Sequence, residues 1–149
     1  MVELRIIASP ASKGSKTAYG QEMFRAKIKA WEKATVEALW VYKSNLRLRG
    51  ITPPKLPLSG PISVSVGFLH QRPKSHLDKF GRAKPGTPRY FTGVPDVDKL
   101  TRCCLDALTK AGVIEDDRLV CVVRASKKYC QLGELPGAEI QVHEAVPVV

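Results

Sequence analysis

The chain has 149 residues, 44% of them hydrophobic, which is enough for one domain over 1–149 with a real core and excludes a disordered tail or a fibre. No run approaches eighteen apolar residues, and Met1-Val2-Glu3-Leu4-Arg5 lacks the layout of a signal peptide, so the sequence predicts a soluble, cytoplasmic protein that does not enter a membrane. Twenty-four Lys and Arg against fourteen Asp and Glu leave a net charge of +10. Such a surface attracts polyanions, of which nucleic acid is the commonest partner for a small basic domain; a merely soluble, highly charged protein is the plainer alternative.

Residues 2–8 (VELRIIA) read as a strand, ended by the turn-forming, basic stretch from Ser9 to Lys16. From Glu22 to Asn45 and just beyond, Phe24, Ile28, Trp31, Ala38, Leu39, Tyr42 and Leu46 recur at helical spacing with lysines largely elsewhere on the wheel, which predicts an amphipathic helix. Trp31 and Trp40 are read as core or half-buried. Four prolines between Thr52 and Pro61 forbid regular structure there. Ile62–Leu69 alternates apolar with Ser and Gly, the period-two signature of a half-buried strand. From His70 to Arg89 there follows a long basic loop with six cations against Asp78 alone. A loop of that length in a compact domain is usually functional or mobile, and a solvated insertion is the alternative.

Residues 98–111 form a second predicted helix, with a stripe of Leu100, Cys104, Ala107, Leu108 and Ala111 and a stop at Gly112. Leu119–Ala125 and Glu139–Val146 complete the set as strands. The order βαβαββ predicts an α+β fold, a small mixed or antiparallel sheet of four strands with two helices on one face. Cys103, Cys104, Cys121 and Cys130 have neither zinc nor disulfide spacing and read as reduced, mostly buried thiols.

The sharpest feature is acidic. Between Asp96 and Asp117 six carboxylates face Lys99, Arg102 and Lys110, so this segment is net −3 inside a +10 chain. Crowded carboxylates cost free energy unless a cation neutralises them, and Mg²⁺ takes carboxylate oxygens from two or three Asp side chains. Asp96 and Asp98, one residue apart in an extended segment, point the same way. A fourteen-residue helix then carries the chain about 20 Å off, so the Glu115-Asp116-Asp117 turn rejoins that pair only if the next strand runs back beside it. Plainer readings are that Asp98 caps the helix and that Asp116-Asp117 belong to a turn. An EF-hand is excluded, because Thr101 and Ala107 stand where its glycine and glutamate belong.

Pro95-Asp96-Val97-Asp98-Lys99-Leu100, then Asp106-Ala107-Leu108-Thr109-Lys110-Ala111-Gly112, then Glu115-Asp116-Asp117-Arg118-Leu119-Val120 resembles the signature of the RusA family of crossover junction endodeoxyribonucleases, the Holliday junction resolvases. That pattern reads roughly D-x-D-N-x-x-K, D-A-L, a glycine, and D-D-x-x-V. The basic loop from Arg72 and the early P-x-S-K-G-S loop also look like family members, so the resemblance covers the whole chain. It implies that Asp96, Asp98 and Asp117 are catalytic metal ligands with Asp116 in support. Two positions depart from the pattern: Lys99 replaces an asparagine, and Arg102 replaces a lysine. Arginine keeps the charge and clasps phosphate but does not act as a deprotonatable ammonium, so Arg102 is assigned to stabilising phosphate or transition-state charge.

The resemblance further implies a Mg²⁺ cofactor, with Mn²⁺ as a substitute and no small-molecule cofactor, that activates water for attack on a phosphodiester. The implied substrate is four-way and branched DNA in recombination and repair, in a bacterial or phage-infected cell. Paired symmetric nicks match a homodimer. Lys13, Lys16, Arg72, Lys74, Lys79, Arg82, Lys84, Arg89 and Lys99 are the expected DNA contacts, made mostly to phosphates. Two rivals stay open at this level: a non-catalytic DNA-binding module whose acidic island is structural, and a metal enzyme acting on a small phosphorylated substrate. The second lacks a Gly-rich phosphate loop.

Overall fold

The structure, a computed structural model, describes residues 1–13 and 21–145, with side chains from residue 24 onward in the second stretch. In chain order it contains β1 (Val2–Ile7), α1 (Gln21–Leu48), β2 (Ile62–His70), α2 (Val97–Lys110), β3 (Val120–Tyr129) and β4 (Gly137–Glu144), with short 3₁₀ turns at Lys74–His76 and Asp117–Leu119. The expected α+β order βαβαββ is the observed one. The four strands form one mixed sheet ordered β1-β4-β2-β3, in which β2 and β3 are parallel and the other pairs antiparallel.

Strand alternation gives this sheet one dry face. Val2, Leu4 and Ile6 of β1 align across the ladders with Val142, Ile140 and Ala138 of β4 and with Val64, Val66 and Phe68 of β2, and all nine are buried. Both helices cover that face: α1 contributes Trp31, Ala34, Ala38 and Leu39, and α2 contributes Leu100, Cys103, Cys104, Ala107 and Leu108. Alanines at 34 and 38 let the α1 backbone approach the sheet, and Trp31 packs against Phe68 with ring centroids 6.1 Å apart. The other face carries Glu3, Gln141, Ser65 and Arg124 in one row across the sheet and, among the described residues, has no helix over it. Burial pushes the Cys103 thiol up to about 11 and that of Cys104 higher still, so both are neutral packing groups. Cys121 is exposed, and all four cysteines are free.

A parallel pair needs a crossover, and α2 supplies it. Its first residues therefore lie at the C-terminal ends of β2 and β3, and its last residues at their starts. Gly112 ends the helix at φ 80°, a conformation that suits glycine. The Val113 amide returns to the Leu108 carbonyl at 3.0 Å, and Val113–Glu115 then pairs with Leu58.

Three expectations change. β3 runs on past Ala125 to Tyr129, because Gly67–His70 of β2 offer a ladder to Ser126, Lys127 and Lys128, which have little strand propensity of their own. The loop after His70 is tied rather than loose: the Asp78 carboxylate accepts the Phe80 and Arg82 amides at 2.8 and 2.9 Å. Trp40 is neither core nor half-buried but 68% exposed, while Trp31 is fully buried; nine residues separate them, a half turn in excess of two, so they face opposite ways. Among the described residues no helix is long and apolar enough to cross a membrane.

Candidate active site

The segment entering α2 is held against the end of β3. The Phe91 amide donates to the Lys127 carbonyl at 3.1 Å and the Tyr129 amide to the Arg89 carbonyl at 3.0 Å, closing the outer edge of β3 over its last residues. The Lys127 ammonium then reaches across and donates to the carbonyls of Gly93 at 2.7 Å and Pro95 at 2.9 Å. One cation thereby fixes two carbonyls of the three residues before Asp96.

Aromatic packing supports the same elbow. His70 stacks on Phe91 with centroids 3.9 Å apart, Tyr129 meets Phe91 edge-on at 5.4 Å, and Lys127 stands 5.1 Å over the Phe91 ring. Burial, with the Lys127 charge adding to it, pushes His70 down to about 4, so its imidazole is neutral. Its buried Nε2 has no hydrogen-bond partner among the described residues.

Asp96 occupies the N-cap position of α2, yet its side chain makes no capping bond; its carboxylate lies 3.5 Å from the Lys99 ammonium. Asp98 sits in the first turn and is exposed. Capping therefore accounts for neither carboxylate, and both lie where the helix dipole favours negative charge. Arg102, also exposed, follows Asp98 by four residues and shares its face of the helix.

The second acidic pair occupies the other end of α2. Asp116 caps the 3₁₀ turn by accepting the Arg118 amide at 2.9 Å, and this bond, foremost among its contacts, holds its carboxyl below the usual carboxylate range. The turn reading thus applies to Asp116, while Asp117 is exposed beside it. β3 does run back beside α2 as required, but the acidic turn lies at its beginning, whereas Lys127, the residue that meets Pro95, lies seven residues on. At about 3.3 Å per residue this separates the two pairs by roughly 20 Å. Carboxylate oxygens suit a hard divalent cation, yet the described residues contain no group of three or more His, Cys, Asp and Glu side chains able to hold one. The expected convergence of Asp116-Asp117 on Asp96-Asp98 is absent within a single chain, because a crossover helix puts its two ends at opposite ends of the parallel strands.

The cations divide as well. Arg72 is only 8% exposed: it donates to the carbonyls of Cys130 at 3.2 Å and Pro88 at 2.9 Å and lies over the Tyr129 ring at 5.0 Å. This makes it a strut of the loop, against its expected place among the phosphate contacts. Lys13 is likewise committed, donating to Asp106 at 2.9 Å. Partial burial would raise the Asp106 carboxyl, but Lys13 and Lys110 outweigh this and hold it low. Arg82 pairs with Asp78 at 3.3 Å. Lys74, Lys79, Lys84 and Arg89 are exposed; Lys16 lies outside the described residues.

Lys127, Phe91 and His70 are absent from any reading of local motifs. Their roles depend on the register that sets Phe68 and Leu69 beside Lys127 and Lys128, and no short-range pattern encodes that. The family model described as endodeoxyribonuclease RusA matches residues 11–143, a span holding both acidic pairs, Arg102 and Lys127. No curated protein matches the chain.

Proposed function

Since the chain belongs to the RusA family of endodeoxyribonucleases, an enzyme family that cleaves DNA junctions, we propose that it resolves four-way junctions by paired symmetric nicks, with Mg²⁺ held between two copies of the chain. The match over 11–143 carries the activity class. The separation of the acidic pairs along β3 is what favours a site shared between two copies.

From Val120 to Ser126 the outer edge of β3 has no strand partner among the described residues, and Val122 and Val123 on it are exposed. Two such edges joined antiparallel about a two-fold axis set the start of one β3 beside the end of the other. Asp117 of the partner subunit then comes to the Lys127–Pro95 elbow, next to Asp96 and Asp98. Each dimer has two such places, related by the symmetry that a four-way junction requires.

In this reading Asp96, Asp98 and Asp117 hold the ion, and Asp116 shapes the turn that presents Asp117. A bound Mg²⁺ supplies acidified water and positive charge for the phosphoryl oxygens, and Mn²⁺ substitutes for it. Arg102 clasps the phosphate beside Asp98, and Lys99 restrains Asp96. Lys16, Lys74, Lys79, Arg82, Lys84 and Arg89 hold the DNA arms through phosphates. The protein acts in the cytoplasm of a bacterial or phage-infected cell, and residues 1–149 work as one domain.

Mixing two inactive variants tests the shared site. Asp98→Asn and Asp117→Asn should each lose at least a thousandfold in cleavage of a synthetic four-way junction with Mg²⁺. Mixed together they form dimers in which one of the two sites is intact, so nicking of a single strand should return. A mixture that stays as inactive as its parts would defeat the shared site, and cleavage by Asp98→Asn at the wild-type rate would defeat the assignment of this carboxylate.

A further inference from the structure

The outer face of α1 is used by neither the fold nor the cleavage site. Trp40 stands 68% exposed at its centre. At 100° per residue, Lys29, Lys33, Val36, Lys43 and Arg47 all fall within about 60° of Trp40 on the helix wheel, while Trp31 falls half a turn away. Lys29, Lys33 and Arg47 are exposed, Lys43 is half-buried and Val36 is 54% exposed. Two acids lie in this stretch. Glu37, exposed, lies about 60° from Trp40 on the side opposite Lys43, and Glu32 is turned aside to Lys110 at 2.9 Å.

A large apolar ring offered to solvent costs free energy that the packing of α1 does not require. With Lys43 one turn on and Lys33 and Arg47 two turns to either side, it has the composition of a stacking platform for a nucleobase with phosphate contacts on either side. From Lys33 to Arg47 the axis is about 21 Å long, the length of about six stacked nucleotides of one strand at 3.4 Å each. Self-association suits the face poorly. Two copies of α1 crossing antiparallel at Trp40 would set Lys33 against Arg47 of the partner subunit, cation on cation, and lysine is depleted from interface cores.

We propose that this face is a second nucleic-acid surface, on which Trp40 stacks against an unpaired base of a DNA strand near the branch while Lys33, Lys43 and Arg47 take its phosphates. It lies apart from the proposed metal ligands, so its failure and theirs are separable.

Intrinsic fluorescence reads the contact directly, because the only other tryptophan is buried. Titration of the full-length wild type with a 20-residue oligothymidylate, without Mg²⁺, should quench the exposed emission as binding saturates by anisotropy. The quench should vanish in Trp40→Phe, which keeps most of the affinity. Trp40→Ala should weaken binding about 10-fold or more, and Lys33→Gln with Arg47→Gln should lower the slope of log K against log salt by about 0.7 for each phosphate no longer neutralised. Saturated binding with no quench, or unchanged affinity in Trp40→Ala, would overturn the proposal. So would sedimentation showing that Trp40→Ala turns a dimer into a monomer with DNA affinity intact, since the face would then belong to a second copy.

Discussion

At the elbow where β2 and β3 end, positive charge is turned inward; on the 74–84 loop and the outer face of α1 it is turned to solvent. Arg72 and Lys127 spend their N–H groups on four backbone carbonyls, those of Cys130, Pro88, Gly93 and Pro95. Lys79, Lys84, Lys33 and Arg47 project from exposed positions. The same residue types thus build a scaffold in one region and offer themselves to phosphate in the other. What separates them is the supply of acceptors: a loop crossing a strand end leaves carbonyls that a long cationic side chain can satisfy, whereas the outside of a helix leaves none. A net charge of +10 therefore overstates the charge available to DNA.

Three experiments test that contrast. The largest effect belongs to His70 in the inward region. Its folded pKa of about 4 lies below its ordinary value of 6.5, so the unfolded chain binds the proton more readily across that window. Stability from this residue is complete above pH 6.5 and is lost as pH falls toward 4, by an upper bound of about 3 kcal/mol. Urea unfolding between pH 7 and pH 4 should show the decline, and His70→Phe should flatten that part of it. Equal slopes in both proteins would mean that the elbow does not exclude the charged imidazole.

Next is Lys127→Met, which frees the carbonyls before Asp96 while keeping the stem of the side chain. Misplacement of reacting groups by about 1 Å costs on the order of 100-fold, so junction cleavage should fall 10- to 100-fold with affinity for the junction nearly unchanged. A loss of affinity instead of rate would make Lys127 a DNA-binding residue and erase the distinction between the regions. The smallest effect is expected outside. Lys79→Gln with Lys84→Gln should leave single-turnover cleavage of bound junction unchanged and reduce the salt slope of binding by about 0.9 for each duplex phosphate left unneutralised. A slope identical to that of the wild type would show these lysines to be merely solvated.

Much of this molecule is legible in its sequence because the forces concerned are local. Period-two alternation in Val2–Ile7 and Ile62–His70 and helical spacing in α1 and α2 follow from which side of an element must leave water, and a glycine ends α2 where a positive φ is needed. The acidic pairs, with their spacing and family signature, stand in the linear order of residues. Three matters were decided only by tertiary structure. Trp40 faces solvent because the sheet covers one side of α1. Arg72 is buried because Cys130 and Pro88, distant in sequence, close over it. The two carboxylate pairs stand apart because α2 joins parallel strands, and a crossover must carry its ends to opposite ends of those strands. Sequence specifies which groups can bind a cation or a phosphate; the pairing of strands determines how far apart they stand.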